Sequence, residues 1–143
     1  MPVDTESQTN IKMGSRKRLA AEARKEERKN YFGATLNNYP TSPRKMRLLA
    51  DLIRGQQVEK VLAELEHNPK HPAVPLRKLV LSAISNWKLK NEGGDESQLY
   101  IQTVFVDGAR TLKRMRPAPQ GRGYRVRKRS NHVTIIVGTK ESK

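Results

Sequence analysis

Arg114 and Arg116 are spaced by two, and so are Arg125, Arg127 and Arg129. In an extended strand that spacing projects side chains from one side. A guanidinium stays charged at any physiological pH, and its planar fork binds phosphate at two points or stacks on a base. The implied chemistry is recognition of a polyanion. The enclosing stretch Thr111–Arg129, TLKRMRPAPQGRGYRVRKR, adds Lys113, Arg122 and Lys128, making eight basic residues and no acidic one.

No other constellation competes with it. His67, His71 and His132 are the three histidines, and there is no cysteine to join them. His67 and His71 are four apart, but the proline in HNPKH breaks the helix that a metal-binding pair would need. The sequence has no phosphate-cradling glycine loop followed by Lys-Ser or Lys-Thr, and no serine nucleophile elbow. Asp51 and Asp107 are isolated carboxylates, the first placed to pair with nearby Arg or Lys. No catalysis, metal or cofactor is expected.

Charge over the whole chain supports a polyanionic partner. Among 143 residues, 29 Lys and Arg face 14 Asp and Glu, for a formal net charge of +15. Such a chain repels itself unless a polyanion or counterions neutralise it. Aromatic residues make up 5%, too few for an extensive base-stacking platform, so contacts to phosphates are favoured. No apolar run reaches membrane-spanning length, and the N-terminus lacks a secretory apolar core, so a soluble, intracellular protein is expected.

The elements that must position these arginines follow from periodicity. Residues 1–13 are polar and aperiodic and are expected to be disordered; Ser15–Lys29 is rich in helix formers but almost bare of apolar residues. That segment is either a solvated, frayed helix or a tail that orders on RNA. Tyr31–Leu36 suits a short edge strand. In TSPRKMRLLADLIRG, Ser42 suits an N-cap, Pro43 the first helical position and Gly55 the residue beyond the end. Met46, Leu49, Ala50 and Ile53 share a buried face there, widened by Leu52. A second helix places Val58, Val61, Leu62 and Leu65 inward. After EHNPKHP, a third places Leu76, Leu79, Val80, Ala83 and Trp87 inward and ends at the turn NEGGDES, with Pro75 confined to its first turn.

From Leu99 the period becomes two. LYIQTVFV reads as a strand with Leu99, Ile101, Thr103 and Phe105 on one side, and HVTIIVG as another. The basic stretch between them reads as an antiparallel hairpin extending past the core, its turn near residues 117–123, where Pro117 and Pro119 cannot donate and Gly121 and Gly123 admit positive φ. An arm from Val106 to Pro117 would reach about 35 Å. The bland alternative is a flexible basic loop. Tyr124 suits base stacking as well as packing along the ribbon.

Three stretches in order, SPRKMRLLADLIRGQQVEKVLAEL, LRKLVLSAISN and VDGARTLKRMRPAPQGRGYRVRKRSNHVTIIV, resemble the bacterial-type ribosomal large-subunit protein twenty-two family over about Ala34–Val137. The resemblance implies an α+β fold: three helices packed on a small three-stranded antiparallel sheet, with a long extended β-hairpin at about 104–135. It implies one RNA-binding domain over 31–143, preceded by a polar and basic extension, 1–30, that is disordered or helical. It implies a structural protein of the cytoplasmic large ribosomal subunit, monomeric within the ribosome and not an enzyme. Its partners would be large-subunit rRNA, neighbouring ribosomal proteins including ribosomal protein four, and the nascent polypeptide, with no membrane.

On this resemblance the rRNA-binding residues are Arg44, Lys45, Arg47, Arg110, Lys113, Arg114, Arg116, Arg122, Arg125, Arg127, Lys128 and Arg129. The tip lining the polypeptide exit tunnel would comprise Leu112, Lys113, Arg114, Pro117, Pro119, Gln120 and Gly121. Ala118, Pro119 and Gln120 stand where many members are more basic. Two other classes remain to be weighed. Histone-like architectural DNA binders also carry basic, proline-tipped β-arms, but on shorter, dimeric chains. A peripheral membrane binder would need more apolar residues than Leu112, Met115, Tyr124 and Val126 supply.

Overall fold

The computed structural model describes residues 15–29, 32–91 and 96–139. Residues 1–13, read as disordered, lie outside the described residues, as does most of the NEGGDES turn. The chain divides into two units, Met1–Tyr31 and Phe32–Lys143. In the first, α1 (Ser15–Lys29) is a helix whose described side chains are all exposed. Arg18 Nε and Glu22 Oε1 pair across one turn at 3.4 Å.

The second unit holds β1 (Phe32–Tyr39), α2 (Pro43–Ile53), α3 (Val58–His67), α4 (Ala73–Lys90), β2 (Leu99–Gly108), β3 (Leu112–Pro117), β4 (Gly123–Lys128) and β5 (Asn131–Thr139). The fold is therefore α+β with antiparallel sheets. The three expected helices correspond to α2, α3 and α4, and α1 makes a fourth. The main sheet runs β1–β5–β2, while β3 and β4 pair in a separate two-stranded sheet.

Burial explains why the central strand is the last in sequence. Along β5, Val133, Ile135 and Val137 alternate inward and are almost wholly buried. They join Met46, Leu49 and Ile53 of α2, Val58, Val61 and Leu65 of α3, and Leu76, Val80 and Trp87 of α4 in one apolar core. Pro43 opens α2, Ser42 sits at its N-cap in extended conformation, and Gly55 follows its end with φ of 72°. Pro75 lies in the first turn of α4, where its missing N–H costs no intrahelical bond.

Two core assignments need correction. Leu52 is 41% exposed, on the outer flank of α2 rather than in the core. On β2, the register against β5 shifts between Ile101 and Thr103, a β-bulge that reverses the strand's phase. Leu99 and Ile101 face inward before it, Val104 and Val106 after it, and Phe105 is turned outward at 51% exposure. A strict period of two cannot anticipate an inserted residue.

The free edge of β2 is covered from the α2–α3 connection. Gly55 N–H donates to Ile101 O and Ile101 N–H to Gln56 O, each at 2.9 Å. Further along, Arg54 Nη2 donates to Val104 O at 3.3 Å and Arg47 Nη2 to Val106 O at 3.1 Å. These bonds satisfy edge groups that would otherwise invite another strand.

Candidate nucleic-acid interface

The ribbon β3–β4 owes its shape to turn chemistry at one end and strand pairing along its length. Gln120 (φ 61°, ψ 32°) and Gly121 (φ 71°) are both left-handed, the signature of a type I′ turn, and Arg122 N–H donates to Pro119 O at 3.4 Å. Pro119 has no N–H to return the bond. Closure moves out by one residue, with Ala118 N–H donating to Arg122 O at 2.8 Å. The turn thus lies inside the expected span.

Pairing then sorts the charge. Lys113 lies opposite Arg127 and Met115 opposite Arg125, whereas Leu112 opposes Lys128, Arg114 opposes Val126 and Arg116 opposes Tyr124. Directly opposed residues share a face. One face therefore carries Lys113, Arg125 and Arg127 around Met115; the other carries Arg114, Arg116 and Lys128 beside Leu112, Tyr124 and Val126. Every one of these cations is exposed. A ribbon basic on both faces suits surroundings that are anionic on both sides, such as folded nucleic acid.

Met115 also explains one glycine. A Cβ on Gly123 would stand 2.6 Å from Met115 Cε, so the bare position leaves room for the thioether to lie over the ribbon.

Arg129 departs from the expected alternation. It falls after β4, beyond the ladder, and lines a cleft of about 630 Å³ with Ser42, Pro43, Arg44, Arg47 and Gly108 at the start of α2. It also borders an adjoining hollow, about 450 Å³, together with Lys45, His71, Arg127 and Lys128. Neither hollow has an acidic residue in its lining. The first turn of α2 likewise lacks an acidic residue, and the Ser42 side chain makes no capping bond. Cations at the positive end of a helix dipole are unfavourable alone and are relieved by an anion.

The remaining site residues divide by position. Arg110 and Arg122 are exposed, one at the neck and one at the turn. Arg47, expected on nucleic acid, also tethers α2 to β2 through Val106 O. The expected tip residues do not form one cluster: Pro117, Pro119, Gln120 and Gly121 are at or beside the turn, but Leu112, Lys113 and Arg114 open β3 at the ribbon's base. Five strand steps separate Leu112 from Pro117, about 17 Å.

Sequence reasoning missed the residue that anchors the neck. Asn131 is fully buried, pairs with both Tyr39 and Gly108 across β5, and donates from Nδ2 to Thr41 O at 2.6 Å. Beside it, Ala109 N–H donates to Ser130 O at 2.9 Å, joining the two segments of the neck. The sole advance signal was a polar residue at an inward position of β5. Among the described residues, no group of His, Cys, Asp and Glu is placed to hold a metal. No helix there is long and apolar enough to cross a membrane.

Comparison with known proteins gives a consistent result. The family model described as ribosomal protein L22p/L17e matches residues 34–138. The chain is similar to proteins named large ribosomal subunit protein uL22. That of Bacteroides fragilis is 57% identical over 131 residues, covering 91% of this chain and 96% of the relative. That of Parabacteroides distasonis is 59% identical over 128 residues, covering 89% and 94%. That of Flavobacterium johnsoniae is 57% identical over 128 residues, covering 88% and 93%. An alignment of 131 residues exceeds the length from Ala34 to Lys143, so it takes in part of the segment before Ala34.

Proposed function

The chain belongs to the ribosomal protein L22p/L17e family, and from that premise we propose that it holds large-subunit rRNA on two surfaces, the ribbon and its base. As a member it is a structural constituent of the large ribosomal subunit, located in the cytoplasm, and not an enzyme. Its partners are accordingly rRNA and other ribosomal proteins. The observation that carries the rRNA reading is the ladder register, which puts three cations on each ribbon face and no carboxylate on either. Both faces then meet phosphate when the ribbon passes through folded RNA.

Each part has a defined role in this reading. Lys113, Arg125 and Arg127 neutralise phosphates on one side of the ribbon, and Arg114, Arg116 and Lys128 on the other. Arg44, Lys45, Arg47 and Arg129 receive the backbone at the neck, where the open end of α2 adds its dipole. Arg110 and Arg122 extend the contact to either end. The turn Pro117–Gly121, less charged than its flanks, faces the lumen of the polypeptide exit tunnel, beside ribosomal protein four and the nascent polypeptide. Leu112, Lys113 and Arg114 line the same tunnel farther back along the arm. The protein acts as a monomer within the ribosome, as one domain over 31–143.

The test is the salt dependence of binding to deproteinised large-subunit rRNA. Each phosphate contact removed should lower the slope of log K against log salt by about 1. Arg125→Ala with Arg127→Ala should therefore lower it by about 2, with the body's thermal midpoint unchanged. An unchanged slope would remove the ribbon from the binding surface.

A further inference from the structure

Helix α1 carries a second pattern that neither the ribbon nor the neck uses. Lys17, Arg18, Ala21, Arg24 and Lys25, at i, i+1, i+4, i+7 and i+8, fall within one stripe of the helix, the kind of stripe that is apolar in most surface helices. Here that stripe is basic. Ala21 lies three or four residues from each of the four cations, so they surround it on one face. All five residues are exposed. The opposite side presents Leu19 and Ala23, with Glu22 and Glu26 beside them.

We infer that this quartet is an RNA-docking site, in which Lys17, Arg18, Arg24 and Lys25 clasp a phosphate backbone that approaches closest over Ala21. Three observations support it. The four cations span about 12 Å of helix axis, a compact positive patch with a small residue at its centre to admit the ligand. A helix with so little apolar surface gains almost nothing from burial, and closely placed like charges oppose it, so an anionic partner is what would hold it ordered. Charge is also segregated along the helix: no carboxylate lies within the stripe, and Glu22 meets it only at its edge, pairing with Arg18. A membrane surface fits poorly, because Leu19 is the one large apolar side chain among the described positions. The site lies before residue 34, outside the family match. The inference rests on the chain being an rRNA-bound subunit protein but not on the ribbon.

The full chain carrying Lys17→Gln, Arg18→Gln, Arg24→Gln and Lys25→Gln tests it. Gln keeps helix propensity, and the change touches none of the core. Against deproteinised large-subunit rRNA the salt slope should fall by about 4. Hydrogen exchange on the unmodified chain should show α1 amides gaining protection when RNA is added, a gain the variant loses. A variant with the native slope, while the Arg125→Ala, Arg127→Ala chain shows its reduced one, overturns this inference and leaves the ribbon reading standing. The reverse outcome supports α1 and removes the ribbon; native slopes in both remove both. Loss of binding to phosphatidylglycerol vesicles with no change in RNA slope would assign the quartet to lipid and overturn the inference.

Discussion

The main sheet and the ribbon are both antiparallel and differ in what holds them. In β1, β5 and β2, strand pairing is backed by an apolar face on which α2, α3 and α4 close. In β3 and β4 no residue is buried; Leu112 is 45% exposed, Met115 70% and Tyr124 64%. Ladder bonds exchange water for protein and contribute little net, so a lone two-stranded ribbon is marginal. The body thus carries its own stability. The ribbon carries charge, and no buried face of its own backs its strand pairing.

The largest effect should come from the body. Ile135→Ala, at the centre of β5, should destabilise by about 2–5 kcal/mol in chemical denaturation. The same kind of truncation in the ribbon, Val126→Ala, should leave the midpoint within about 0.5 kcal/mol. A comparable loss from both would mean that the ribbon shares the body's cooperative unit.

Next comes the neck, where the two regions meet. Asn131→Ala leaves Thr41 O without its donor and should cost about 1–3 kcal/mol. It should also raise exchange at Ala109, whose N–H bonds Ser130 O beside it. If the midpoint falls while Ala109 exchange stays slow, Asn131 belongs to the body alone.

The smallest effect belongs to the turn. Gln120 holds φ of 61°, so Gln120→Gly should favour the turn by no more than about 1–2 kcal/mol. Because the ribbon is separately held, this should appear as slower exchange at Ala118 with no change in the midpoint. A shifted midpoint would again join the two regions.

Much of this was legible in the residues. Pro43, the i, i+3, i+4, i+7 face from Met46 to Ile53, and Gly55 define α2 because helix period and capping act within a few residues. Pro117, Pro119 and Gly121 bracket the turn for the same reason. Arg114 and Arg116, and Arg125 and Arg127, share faces as strand alternation requires.

What sequence could not supply depends on contacts between distant segments. The bulge that turns Phe105 outward exists because β2 must keep both Ile101 and Val104 against the core. Arg129 left the arm because the ladder ends at Lys128 and the chain there passes the start of α2. Arg47 and Arg54 cap edge carbonyls whose position only packing sets. Local propensity and short-range period set the element types, the basic hairpin and its turn, all within a few residues of one another. Tertiary structure alone decided which cations stand opposite each other and which gather at the neck, because pairing register and burial are properties of residues far apart in the chain.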